Sequence, residues 1–448
     1  MIHKHLRLFA ILFFQVCIVS SSIAQGIPDS TFNTLLRTEN GGWVAGDATY
    51  SLELPDGRTL WLFGDSFIGT VNPDSSLAPG ASMIRNCAVL QSGDTMTALY
   101  QGTFNDPIDF VETNTPDSTW YWPEHGIVED DTLKIVFSEF GTNGGTSGWN
   151  FEYRNAYVVS FTYPEIEFVE QIQLPYFELN GVMYGDRIMN FDDYTYIYGR
   201  KEENPSNNIP SVHLARSNVG DLLGDWEFYD GNNWFAEPEV SKKLTDHPVS
   251  QQFGVFQHQD KFVMITQEIW LGTKIYSLVA NQPEGPWSNV TVLYETPYPF
   301  PDMLTYNAYP HPQFDENNEL LISYNSNGDF WQLFNNIELY RPNFFRIPYT
   351  TIHPSFTPTN VSQIADSDLL ELKCYPNPAH GMITFSFTLQ ENNYIDIQIH
   401  NLQGVNVMTK SVGRLTKGIH RIEVEMNELA AGAYVYHILD TKGVFLTN

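Results

Sequence analysis

The feature that most limits how this chain can fold is a hairpin that recurs five times. Each copy is a short apolar strand, a tight turn rich in Asp or Asn, and a returning strand that ends in a polar residue. The sharpest is GDATYSLELPDGRTLWLFGDSF, residues 46–67. The others are YWPEHGIVEDDTLKIVFSEF, GDRIMNFDDYTYIYGRK, QQFGVFQHQDKFVMITQE and YPHPQFDENNELLISYNSN. Their turn markers Asp56, Asp130, Asp192, Asp260 and Asn317 stand 57 to 74 residues apart. A ββ unit repeated at that period, with little helical periodicity anywhere, predicts an all-β chain built as a five-bladed propeller. In such a fold the same end of every inner hairpin reaches one central funnel, so residues far apart in sequence share one site.

The blades are expected at about 41–100, 120–170, 180–235, 249–295 and 305–348, with IRNCAVLQ, NAYVVSF, SVHLARS, KIYSLVA and IELYRPNFFRI as third strands. A turn followed by Trp comes after the third strand in two repeats, at Trp226 and Trp287, and marks both as packing residues between blades. Ahead of the repeats, residues 1–24 read as a signal peptide: a basic start at His3, Lys4 and Arg7, an apolar stretch, and Ser22-Ile23-Ala24 before the cut. The stretch is too short for a stable span, and no later segment could cross a membrane. The propeller is expected over 25–349. Residues 350–371, rich in Thr, Ser, Pro and Asp, read as a linker. From 372 to 448 the apolar residues alternate at period two, as in a small β domain.

The formal net charge is −30, from 23 Lys+Arg against 53 Asp+Glu. Such a chain repels nucleic acid and anionic lipid, so neither is an expected partner. Once Cys17 leaves with the leader, Cys87 and Cys374 fall in different domains, which argues against a disulfide framework. No Cys/His spacing suits zinc, and nothing marks a nucleophile elbow. The Gly-rich run Gly141–Gly148 lacks the Lys-Ser/Thr ending of a phosphate loop and reads as a funnel loop. No cofactor is called for; a structural calcium in the central channel is compatible with such folds, but no residue demands it.

Hairpin arithmetic places the acids. With a two-residue loop at Asp56-Gly57, Asp47 and Asp65 lie side by side at one end of the first hairpin. A loop at Asp130-Asp131 puts Glu124 opposite Phe137 and Trp122 opposite Glu139. In the third hairpin Asp186 faces Gly199, with Arg187 and Arg200 next door; in the fourth Gln251 faces Glu268; in the fifth Tyr309 falls near Asn325. All five hairpins thus send polar groups to the same end. Carboxylates around a funnel suit glycosidic hydrolysis, which needs one protonated acid and one ionised carboxylate. Crowding separates their pKa values. Asp47 is the expected base or nucleophile, Asp65 and Glu124 the acid candidates, and Asp186 a tuner. Expected substrate contacts are His125, Trp43, Trp122, Arg187, Arg200, Glu268, Tyr309 and Asn325. Glu139, Arg85 and Arg154 are weaker candidates at the same end.

Two stretches resemble known families. The tail resembles the C-terminal sorting domain of the type IX secretion system of Bacteroidetes, through Tyr375-Pro376-Asn377-Pro378, Asn401-Leu402-Gln403-Gly404 and LAAGAY from Leu429 to Tyr434. That resemblance implies a small immunoglobulin-like β-sandwich, export, and the type IX machinery as partner. Its ending, GVFLTN, departs from the basic apolar strand usual in the family. GGWVAGDATYSLELPDGRTLWLFGDSF resembles the opening blade of a family of secreted bacterial five-bladed propellers without an assigned function. That family is similar in architecture to the five-bladed glycosidases of families 43 and 32, and a related one is associated with D-arabinan cleavage. By position Asp47 matches their blade-one aspartate, whereas this chain carries Glu124 and Asp186 where those families place Asp and Glu. The combined expectation is a secreted or surface-attached glycoside hydrolase acting on a polysaccharide of furanoside or arabinan type. The alternative is a non-catalytic carbohydrate-binding propeller; a third reading is an adhesion or scaffold protein.

Overall fold

The computed structural model describes residues 26–37, 40–144, 150–203, 209–297 and 303–356, then 369–389, 392–401, 406–426, 429, 432, 434–440 and 443–447. The expected leader, the second half of the Gly-rich run and Leu402–Gly404 lie outside them. The chain is all-β, with only short helices, and divides into units 1–357 and 358–448.

The first unit contains five successive antiparallel sheets. Sheet one runs Tyr50–Glu53, Thr59–Phe63, Cys87–Ser92, Thr95–Leu99, and sheet two Thr119–Glu129, Thr132–Thr142, Phe151–Thr162, Phe168–Leu174. Sheet three begins with Met183–Phe191, Tyr194–Glu202 and Pro210–Asn218. Sheet four is Phe253–His258, Lys261–Gln267, Lys274–Ala280 and Ser288–Glu295. Sheet five is Leu304–Pro310, Glu319–Asn327 and Asn343–Pro348, completed by Ile27–Pro28 from the start of the chain. The ion pair Asp29–Arg346 at 2.6 Å secures that addition.

Period-two alternation gives each sheet two apolar faces, and these pack on their neighbours. Leu60, Leu62 and Phe137 share a core between sheets one and two. Val158, Ile197 and Trp226 join sheets two and three, and Tyr198, Phe253 and Trp287 join three and four. Val263, Ile322 and Phe345 join four and five. Trp61, Phe63, Leu321 and Phe344 make a fifth core between the last sheet and the first. Trp226 and Trp287 are therefore packing residues, as read from their turns.

The observed registers correct several expectations. The first turn is a three-residue loop: Leu54 N donates to Arg58 O, Gly57 sits at φ 81°, and Tyr50 pairs with Leu62. The second and third hairpins follow the expected register next to their turns, then slip at bulges. Glu124 and His125 occupy one, so Pro123 rather than Glu124 faces Phe137, and Trp122 faces Ser138 rather than Glu139. Gly185 and Asp186 occupy the other, so Tyr184 faces Gly199. In the fourth the register holds, but pairing stops at Phe253–Thr266 before Gln251 and Glu268. In the fifth, Tyr309 faces Ser323 and Asn325 faces Tyr306, because a 3-10 turn at Pro312–Phe314 and a bulge after Tyr306 shift the count.

The expected linker also starts too early. A short helix covers Tyr349–Ile352, and Ile352 and Phe356 are buried in the core between sheets four and five. Residues 357–368 lie outside the described part. In the second unit the strands Leu369–His380, Met382–Leu389 and Gly418–Glu425 form one sheet. Asn406–Leu415, Asn393–Asn401, Tyr434–Asp440 and Gly443–Thr447 form another. Phe385, Phe387, Ile397, Ile399 and Ile438 from both sheets share one core. Cys87 and Cys374 are free thiols, and no helix among the described residues is long and apolar enough to cross a membrane.

Candidate active site

Asp47 stands where the inner strand of sheet one breaks. Ala48 and Thr49 adopt left-handed backbone, at φ 68° and 59°, which non-glycine residues avoid unless the surroundings hold them. Three buried braces do so. Gln252 Nε2 donates to Ala48 O at 2.6 Å. Asn325 Nδ2 donates to Gly46 O at 3.3 Å and to Thr49 Oγ1 at 3.0 Å. On the opposite strand Asp65 ends the apolar run, and Asp47 N donates to Asp65 O. The two aspartates therefore face each other. A separate three-stranded sheet, Asn40–Gly46, Ser66–Thr70 and Ser82–Ile84, leaves the hairpin beyond them and was not foreseen.

The pair is surrounded unequally. Tyr306 Oη donates to Asp47 Oδ2 at 2.8 Å, and Asn327 Nδ2 to Tyr306 Oη at 3.2 Å. Tyr340 Oη donates to Asp65 O at 3.2 Å. Burial, then the negative charge of Asp65, pushes the Asp47 carboxyl up to about 7 against the tyrosine hydrogen bonds. Asp65 is raised by burial and countered by Arg85 and Trp122. Arg85 Nη1 lies 3.1 Å from Asp65 Oδ2, and Trp122 Nε1 donates to Asp65 Oδ1 at 2.9 Å. Gly64 is needed alongside: a Cβ there would lie 2.5 Å from Asp47 Oδ1.

A second group joins Glu124, Asp186 and Arg200, all buried. Arg200 Nη1 donates to Asp186 Oδ1 at 2.5 Å and Nη2 to Glu124 Oε1 at 3.2 Å. Glu124 also accepts from Tyr50 Oη at 2.7 Å and Ser138 Oγ at 2.8 Å. Burial holds Asp186 well above the ordinary aspartate range, partly offset by Arg200, and its Oδ2 has no partner. Bulges carry both acids at the same end of their strands as Asp47. Trp122, next to this bulge, reaches Asp65 and so links the two groups.

The remaining expected residues divide. Trp43 is buried against Phe63, with Nε1 donating to Ser66 Oγ, and offers no face to a sugar. Tyr309 is fully buried between Tyr50 and His125. His125 is buried as well; burial and the adjacent Arg187 hold its imidazole well below its ordinary pKa. Arg187 turns toward the hairpin-turn end of the inner strands, away from Asp47. Glu268 braces a loop, accepting from Lys274 N at 3.4 Å. Glu139 is buried opposite Tyr121, and Arg154 pairs with Glu152.

Sequence reasoning missed Tyr306, Tyr340 and Gln252. Gln252 carried a signal, since it precedes the fourth inner strand as Asp47 precedes the first. Also missed were Trp270 and Trp331, 68% and 75% exposed, the first on the loop after Gln267 and the second in the short helix Phe330–Asn335 after Asn327, at the Asp47 end of sheets four and five. Among the described residues no group of three or more His, Cys, Asp or Glu is arranged to hold a metal ion.

Residues 29–360 match the model of a domain of unknown function, DUF5005. Residues 373–447 match the secretion system C-terminal sorting domain, which marks the chain for type IX secretion and attachment at the cell surface. Among curated sequences none matches significantly. The crystal structure of a "putative hydrolase" from Bacteroides ovatus superposes with a TM-score of 0.61 at 21% identity, covering 71% of this chain and 89% of its own, so the two share a fold. A glycoside hydrolase family 43 arabinoxylan arabinofuranohydrolase from Bacillus subtilis gives 0.41 at 13% identity, covering 88% and 94%. A family 43 enzyme from Xanthomonas citri gives 0.38 at 13%, covering 71% and 93%.

Proposed function

The chain belongs to the DUF5005 family, and we propose that within it this protein is a secreted glycoside hydrolase whose paired carboxylates sit in the funnel of a five-bladed propeller. The five sheets, with a core between each and the next and between last and first, are read as its blades. The tail is read as an immunoglobulin-like sandwich.

The observation that carries the proposal is the facing pair Asp47 and Asp65, with Asp47 poised at about 7. A group titrating near working pH is suited to proton transfer, and its partner must keep its charge. Arg85 and Trp122 favour charge on Asp65. Asp47 then moves the proton, while Asp65 stabilises positive charge on the sugar or attacks it. Glu124 is the remaining acid candidate. Asp186, locked to Arg200, acts on Glu124 by its field and not by touching substrate. Asn325 and Gln252 position Asp47 through the left-handed turn. Trp122, half-buried beside Asp65, supplies a wall, and the reading keeps a furanoside or arabinan polymer as substrate class.

A non-catalytic glycan-binding propeller is the second reading, favoured by the exposure of Trp270 and Trp331 at the same end. The two separate in Asp47→Asn. A polysaccharide panel with reducing-end detection should show wild-type turnover falling at least about 10³-fold in the variant, with glycan binding retained. Binding without turnover in the wild type supports the second reading; neither binding nor turnover refutes both.

A further inference from the structure

The described part of the first unit contains nine arginines. Eight have a carboxylate oxygen within the 4.0 Å of an ion pair. Arg187 alone has none among the described residues, in a chain where acids outnumber bases by 53 to 23. The acids next in sequence to Arg187 and to His125, Asp186 and Glu124, are both taken by Arg200. Arg187 Nη1 instead lies 2.7 Å from His125 Nε2, and its buried Nε has no acceptor. A guanidinium cannot lose its proton, so this nitrogen of His125 must be an uncharged acceptor. A cation drawn out of bulk water without a counter-charge is costly.

Arg187 also lines a cavity of about 580 Å³. Its other polar side chains come from Ser51, Glu53, His125, Asn190, Gln257 and Gln313. Glu53, Asn190 and Gln257 stand near the turns of the inner hairpins, and His125 and Arg187 lie on the turn side of the bulges or in them, so the cavity opens toward the end opposite Asp47. The only acid on it, Glu53, is exposed. Gln313 Nε2 already donates to Ser51 Oγ at 2.7 Å, and Ser51 Oγ contacts His311 Nδ1 at 2.6 Å, which leaves none of these groups to neutralise the guanidinium.

We propose that this cavity binds a small inorganic anion, of the size of chloride or phosphate, with the Arg187 guanidinium as its counter-charge. The bound anion completes the charge balance of the central channel and pins the inner strands at their turn end. The site is independent of the glycosidase reading, since it shares no residue with the Asp47–Asp65 pair.

Thermal unfolding of the intact protein and of Arg187→Gln, each titrated with sodium chloride and with sodium phosphate, tests this. Ionic-strength effects common to both proteins cancel in the difference. The wild type should show an additional, saturating rise of about 2 °C or more that the variant lacks. A response to chloride alone supports the site and fixes its size limit. Identical responses in the two proteins overturn it. Should the variant not fold, crystals of the wild type grown in bromide decide between the same two outcomes. An anomalous peak within about 3.5 Å of the guanidinium is expected, and its absence refutes the proposal.

Discussion

Replacing Arg200 by Met tests the buried charge cluster without reference to activity. Met keeps an unbranched stem of similar length but removes the cation that holds Asp186 and Glu124. Arg200 is 5% exposed and Asp186 fully buried, so water does not substitute. Removing one partner of a buried ion pair costs about 3–5 kcal/mol. An unfolding entropy of about 2.1 cal/mol/K per residue, over the roughly 330 residues of the first domain, gives about 0.7 kcal/mol/K. The melting temperature should therefore fall by about 4–7 °C at pH 7. Burial raises the Asp186 carboxyl in the folded protein, so the folded chain keeps this proton at a pH where the unfolded chain has released it. The contribution of Asp186 to stability is thus greatest below about pH 4 and declines as pH rises. Arg200 limits that decline in the wild type. In the variant the decline is larger, so the deficit is smallest near pH 4 and grows toward pH 7. Calorimetry at pH 4.5 and 7 measures both, and adding Asp186→Leu should recover part of the loss. A fall of under 1 °C at pH 7, or a deficit that grows in acid, would show that Arg200 does not hold the two acids in this way.

Other consequences follow from the Asp47 pair and the core. Because Tyr306 lowers the Asp47 pKa from above, Tyr306→Phe should move the activity limb near pH 7 upward by about one pH unit. The raised Asp47 also makes the wild type lose stability as pH rises from about 4 to about 7; Asp47→Asn should flatten that window in urea melts at pH 5 and 8. Gly64→Ala places a methyl 2.5 Å from Asp47 Oδ1 and should cut kcat about tenfold or more while the chain stays folded. Ending the chain after Tyr349 removes Ile352 and Phe356 and should cost about 3–5 kcal/mol for Phe356 alone, read as a lower urea midpoint; ending it after Phe356 should not.

The hairpins were legible because turn chemistry is local. Asp130, Asp192 and Asn317 all take left-handed backbone at the expected turns, a conformation that Asp and Asn tolerate. Bulges were not legible: an inserted residue leaves composition unchanged and shows only in the pairing count. Glu124 and Asp186 were thus picked as polar residues at the right end, while their cross-strand partners were misassigned by one or two positions. Trp43 and Tyr309 failed as sugar platforms because an aromatic near an acid looks the same in sequence whether it faces a funnel or a core. Phe356, a single apolar residue among Thr, Ser and Pro, gave no pattern to set against the linker composition. Arg187 and Arg200, thirteen positions apart on one hairpin, were grouped together; the residue just past the bulge turns to the other end, a change of direction no spacing rule records.

The seam at Ile27–Pro28 has a bearing on how the molecule is made. This opening strand has no strand partner until Phe345 and Arg346 have been synthesised, so it stays unpaired while most of the first unit is still being translated. Once the seam shuts, the two ends of the unit hold each other: a pull from the N-terminal side loads the two-residue clasp and its Asp29–Arg346 bridge, and one from the C-terminal side must first free the buried Phe356 and Ile352.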